Sequence, residues 1–159
     1  MPNTTMPIFR QEVIEIEVPA GSTVNTFYFP DQPQLRNAKI FGIDFVNLSV
    51  MSVSPQTGKA IINGDDSKSC VVNLYQGDLQ RVKYFPLNFM SRVVDAGSEN
   101  LPYSNMQQMF GGMVISWTKC FIQFQAALKN TSGFVVPLIV YYDVATDSEL
   151  AALSLGQNV

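Results

Sequence analysis

The residues of this chain that could do chemistry are carboxylates and thiols, because it contains no histidine. Without an imidazole the commonest general base near neutral pH is missing, and with it the Ser-His-Asp and Cys-His arrangements. The His-based ligand sets of catalytic zinc are missing too, and Cys70 and Cys120, far apart in sequence, cannot alone make a structural zinc site. Glu15 and Glu17 alternate along "EVIEIEV" (Glu12 to Val18) and share one strand face, as the two acids of a glycoside hydrolase would. A wet strand face is the commoner reason for such a pair. Asp65 and Asp66 lie in "NGDDS", which lacks the alternating acids and distal Glu of a calcium loop and reads as a solvated turn. Asp95 and Glu99 have no evident partner. "GGMVISW" opens a strand and lacks the Lys-Ser/Thr of a phosphate loop. These patterns assign no catalytic residue, no cofactor and no metal ligand, so the chain reads as a non-enzyme.

The elements that must carry these residues read as β almost throughout. In Glu12 to Val18, Ile14, Ile16 and Val18 point one way and Glu15 and Glu17 the other, which predicts a half-buried strand. "TVNTFYF" (Thr23 to Phe29) follows a Pro-Gly turn and reads as its hairpin partner. "KIFGIDFVNLSVMSV" (Lys39 to Val53) is a long run whose apolar parity shifts, predicting a bulge near Phe45 and Val46 or at Gly42. "AIING" and "CVVNLY" read as strands around a "DDSKS" loop, and "LQRVKYFPL" follows the turn "QGD". "MVISWTKCFIQFQ" (Met113 to Gln125) is a strong strand with a second parity shift near Lys119. Cys70 and Cys120 sit in apolar runs and read as small buried hydrophobes; pairing them would need neighbouring strands.

Two stretches stand apart. Pro86 to Gly112 has no clean period and reads as a long loop with one helical turn around Met106 to Phe110; such loops are often functional. Its Met- and Gln-rich part, with Tyr103, Met106, Gln107, Met109 and Phe110, either covers an end of the domain or meets another subunit. "FVVPLIVYYD" (Phe134 to Asp143) is apolar or aromatic at eight of ten positions, too short for the roughly 20 residues of a membrane helix, and interrupted by Pro137. A ribbon apolar on both faces, with Tyr141 and Tyr142 on opposite sides and a proline lacking its donor, reads as a strand near a sheet edge, covered partly by a neighbouring subunit.

At 159 residues the chain is the size of one domain: an arm over 1–11, a sandwich over 12–145, and a tail or short helix over 146–159. Charged residues make up 14%, against roughly 25% in typical globular proteins. A free monomer normally dresses its surface in Lys and Glu, whereas interface cores are depleted of charge. The net charge of −3 and the scattered Lys and Arg argue against direct nucleic-acid contact. The N-terminus shows no secretory pattern, and no stretch is long enough to span a membrane.

About eight short strands with turns at regular spacing predict an all-β, single-domain antiparallel β-sandwich of jelly-roll type. This rhythm, the low charge and the terminal "FVVPLIVYYD" strand resemble the single jelly-roll capsid, penton and minor virion proteins of tailless icosahedral viruses and phages. The resemblance covers most of the chain. It implies a virion-located structural protein that associates with itself as a pentamer or trimer, and with other virion proteins, through sandwich faces and terminal arms. The arm carries only Arg10 where genome-packaging coats carry a basic run, which favours a shell component without genome contact. The alternative is a β-sandwich module binding a host-surface receptor or glycan through the Tyr103 to Phe110 loop.

Overall fold

The alternation in the first strand is realised as read. Ile14, Ile16 and Val18 are buried and Glu17 is exposed. The computed structural model describes residues 10–91 and 111–144. Over these residues the strands are β1 (Arg10–Val18), β2 (Thr26–Tyr28), β3 (Ala38–Phe45), β4 (Cys70–Gln76), β5 (Leu79–Pro86), β6 (Met113–Val114), β7 (Phe121–Phe124) and β8 (Phe134–Val144). They form two four-stranded sheets, ordered β1-β8-β3-β6 and β2-β7-β4-β5. Every pairing between these strands is antiparallel. The fold is an all-β antiparallel sandwich, and its pairings nest: β1 with β8, β2 with β7, β3 with β6, β4 with β5. The core is aliphatic and aromatic, drawn from both sheets, with Ile14, Ile16, Ile40, Leu74, Ile122 and Leu138 among its fully buried members.

Several expectations are corrected. β1 and β2 do not form a hairpin; they lie in different sheets, because the chain after Val18 crosses the sandwich. The long run from Lys39 is a strand only to Phe45. Val46 is buried, but Leu48, Val50, Met51 and Val53 are exposed on a loop, and the register shift falls between Ile40 and Gly42. The run from Met113 is two strands, one in each sheet, and the parity shift near Lys119 is a 3-10 turn (Trp117–Lys119) that carries the chain across. "DDSKS" is not a loop: Gly64–Lys68 forms a short helix, α1, capped by Asn63, whose side chain accepts from the Asp66 backbone N–H at 2.7 Å. Arg10 and Gln11, assigned to the arm, already belong to β1.

Pro137 is not near a sheet edge, because β8 lies between β1 and β3. The pairing explains why a proline is tolerated there. The Pro137 carbonyl accepts from Val46 N–H at 3.0 Å, and in a strand the N–H and C=O of one residue point the same way. A partner at Val46 would therefore receive no bond back, and β3 ends one residue earlier. Beyond that point the segment 60–62 takes its place: Val135 N–H donates to Ala60 at 2.9 Å and Ile62 N–H to Val135 at 3.0 Å. A cover over the start of β8 on its outward face comes from the same chain. Ser54 and Thr57 donate to the Glu15 carboxylate, and Lys59 pairs with Glu17 at 2.8 Å. Glu15 and Glu17 stand opposite Pro137 and Val135, so the turn 54–59 crosses β8, and both β8 residues are buried.

Two contacts fix the chain on its way into β8. Gly133, with φ of +89°, precedes β8; a Cβ there would meet the Ala20 backbone nitrogen at 3.0 Å, so only glycine fits against the end of β1. Asp66, 1% exposed, holds the connection between β7 and β8: its carboxylate accepts from Lys129 N–H at 2.7 Å, Asn130 N–H at 3.0 Å and Asn63 Nδ2 at 3.0 Å. It is a buried clamp, not a solvated turn. Asp66→Ala strands two backbone donors and is expected to cost roughly 2–4 kcal/mol, with Asp66→Asn costing less; urea unfolding of the two variants checks this.

Candidate functional site

The outward face of the second sheet is built from strands that alternate. Phe27, Val72, Leu74, Ile122 and Phe124 point into the core, which leaves Thr26 and Tyr28 on β2, Phe121 and Gln123 on β7, and Val71, Asn73 and Tyr75 on β4 facing out. None of these seven is charged. Register places Tyr28 opposite Phe121 and Phe121 opposite Asn73, so a row crosses three strands. The ring centroids of Tyr28 and Phe121 are 5.6 Å apart, and those of Phe121 and Tyr75 6.3 Å. Tyr28 is 64% exposed. An ordinary wet sheet face is dressed in Lys, Glu and Thr; this one presents rings and carboxamides.

The face ends at β5, where the ladder is deliberately irregular. Register shifts between Val72 and Leu74 and again before Tyr75. Asn73, fully buried, fills the gap with its side chain, whose oxygen accepts from Tyr84 N–H at 3.0 Å and Gln80 Nε2 at 2.9 Å. Tyr84 adopts φ of +52°, a left-handed conformation that costs a bulky residue on the order of 1 kcal/mol or more. That conformation leaves Tyr84 exposed beside the Lys83 ammonium, 5.5 Å from its ring. Phe89, 67% exposed, rests edge-on against Phe85 at 5.8 Å. Rings therefore continue from the sheet face onto its rim.

The residues expected at contacts distribute differently. Tyr103, Met106, Gln107, Met109 and Phe110, with the helical turn read there, lie outside the described residues, as does the tail over 146–159. Pro137 is buried within the chain. Tyr142 is half-buried and packs against the core, while Tyr141, on the opposite side of β8, donates its hydroxyl to the buried Asp44 at 2.7 Å. Tyr28, Tyr75, Phe121, Tyr84 and Phe89 were not singled out from sequence. The first four come from separate strands that the register brings together, and Phe89 follows on the 3-10 turn Leu87–Met90 after β5.

The candidate chemical residues are engaged structurally. Glu15 and Glu17 fasten the turn 54–59 to β1, and Asp66 is the clamp described above. Among the described residues no cluster of three or more His, Cys, Asp or Glu is arranged to hold a metal ion. Cys70 pairs with Phe124 in register, whereas Cys120 lies at the other end of β7 beside Tyr75, whose N–H reaches its sulfur at 3.4 Å; both thiols are free. Burial pushes each up to about 12. No protein family, no curated protein and no solved structure matches this chain. Neither thiol is expected to react with a maleimide near neutral pH in the folded protein, and both should react once it is unfolded, as mass spectrometry of the labelled chain would show.

Proposed function

We propose that this protein is a non-enzymatic structural subunit of a virus particle, a jelly-roll shell component that associates with itself through its sandwich faces. The observation that carries the reading is the uncharged outward face of β2, β7 and β4, continued by exposed Tyr84 and Phe89 at the rim. Uncharged, aromatic surface is the composition of an interface core, and large exposed apolar patches mark association sites. The exposed loop residues Leu48, Val50, Met51 and Val53 add a second apolar region. The nested order of eight strands in two sheets is the arrangement of a rolled antiparallel ribbon, in keeping with a jelly roll. Arg36, Lys59 and Lys119 are each held by a carboxylate, at 2.8, 2.8 and 2.6 Å.

The same face supports a second reading. Rings flanked by Gln123 offer stacking surface and carboxamide hydrogen bonds, the chemistry of a glycan- or receptor-binding module. Solution mass separates the two. Light scattering across a dilution series is expected to give a closed oligomer, a pentamer or trimer, and Tyr28→Glu to weaken it by about tenfold or more. A monomer at every concentration, combined with retention on a glycan array that Tyr28→Ala abolishes, would replace the assembly reading with the binding-module one.

A further inference from the structure

Of the four sheet edges, one is long, flat and continuous. β6 and β2 span two and three residues, and β5 is broken by its bulges and by Tyr84. β1 runs for nine residues in unbroken register with β8. Which of its backbone groups are spent follows from the other side of β8. Val135 and Pro137 direct their backbone groups to the segment 60–62 and to Val46, so Phe134, Val136, Leu138 and Val140 direct theirs to β1. Their register partners are Val18, Ile16, Ile14 and Glu12. The intervening residues of β1, Gln11, Val13, Glu15 and Glu17, therefore aim their N–H and C=O groups away from the sheet. Among the described residues one of these groups has a partner: the Val13 carbonyl, reached by Gln56 Nε2 at a long 3.4 Å.

This edge forms one wall of a groove of about 330 Å³, whose other lining includes Pro30, Gln32 and Gln34. Glu12, Glu15 and Glu17 also line it, against a single ammonium, Lys59. A row of unspent backbone groups is a template for an added strand. The charge selects which strand. A second copy paired edge to edge through β1 would bring a second set of the same carboxylates to this groove, where like charges on neighbouring strands repel. We propose that the β1 edge is a docking site for an extended segment of a different protein chain, one that alternates Lys or Arg with β-branched residues. Its main chain would complete the ladder at Gln11, Val13, Glu15 and Glu17, and its basic side chains, which alternation sets on one face of the added strand, would lie on the face of Glu15 and Glu17. This inference is independent of the uncharged face on the opposite sheet.

Fluorescence anisotropy with the full-length protein tests it, using three labelled peptides long enough to lie along Gln11 to Glu17. One alternates Lys with Val and Thr, one substitutes Glu for Lys, and one is the Lys peptide N-methylated at alternate residues. The Lys peptide is expected to bind, about tenfold or more tightly than either of the others, and to weaken as salt is raised. Glu17→Gln, at an exposed position outside the core, should weaken it by several-fold while shifting the thermal midpoint little, and Glu12→Gln, on the opposite face of β1, should leave the binding unchanged. Failure of the Lys peptide to bind, equal binding of the N-methylated peptide, or equal binding of the Glu peptide would each overturn the proposal.

Discussion

The sandwich depends on the placement of its last strand. β8 is apolar on both faces and must be flanked on both edges, and the chain itself supplies both edges, one face and part of the other. β1 lies along one edge over nine residues. β3 and the segment 60–62 share the other, divided where Pro137 can return no hydrogen bond. The core covers one face, and the turn 54–59, drawn across by Glu15 and Glu17, covers part of the other. A proline inside a central strand is ordinarily disallowed. Here it does the partitioning, and the loss of one ladder bond is confined to the position where the neighbouring strand changes.

What the sequence made legible was local period. The alternation of Glu12 to Val18 and the apolar run of Phe134 to Asp143 each became a strand with the expected inward set, and the count of eight strands with an antiparallel sandwich followed. Where an apolar run continued past its strand, the period misled. Met113 to Gln125 changes parity because the chain crosses to the other sheet, and Lys39 to Val53 because β3 ends at Phe45 and the chain enters a loop, while the bulge expected at Gly42 is present as the register shift between Ile40 and Gly42. The clamp at Asp66 had a signal that went unused: Asn63 stands three residues before it, at the spacing of a helix cap. Its partners, the backbone of Lys129 and Asn130, could not be read from composition at all. The aromatic face was visible only as a deficit of charge. Tyr28, Tyr75 and Phe121 are far apart in sequence, and only the register of β2, β7 and β4 sets them in a row.

The two sheets meet solvent in different ways. The first carries its carboxylates on β1 and a covering turn over β8, so its outward face is partly closed and its edge is acidic. The second leaves rings and amides uncovered, and keeps Asn73 buried to hold Tyr84 in a conformation that a tyrosine rarely adopts. Strain retained at a rim, beside exposed rings, is the kind of local cost that persists where surrounding structure over-determines it. Charge is thus concentrated where strands could add, and removed where faces could stack.

The nesting of the strands has a consequence in time. Only β4 and β5 are joined by a tight turn; every other pairing joins partners separated by intervening strands, and β1 waits for β8, the last of the described strands in chain order. Chains dominated by such distant pairings fold slowly, because loop closure precedes any gain from the contacts. Until β8 arrives, the inward side of β1, with Ile14, Ile16 and Val18, has no sheet to belong to. A nascent chain of this design therefore carries an open, greasy ribbon from the making of β1 until β8 slides into the slot between β1 and β3.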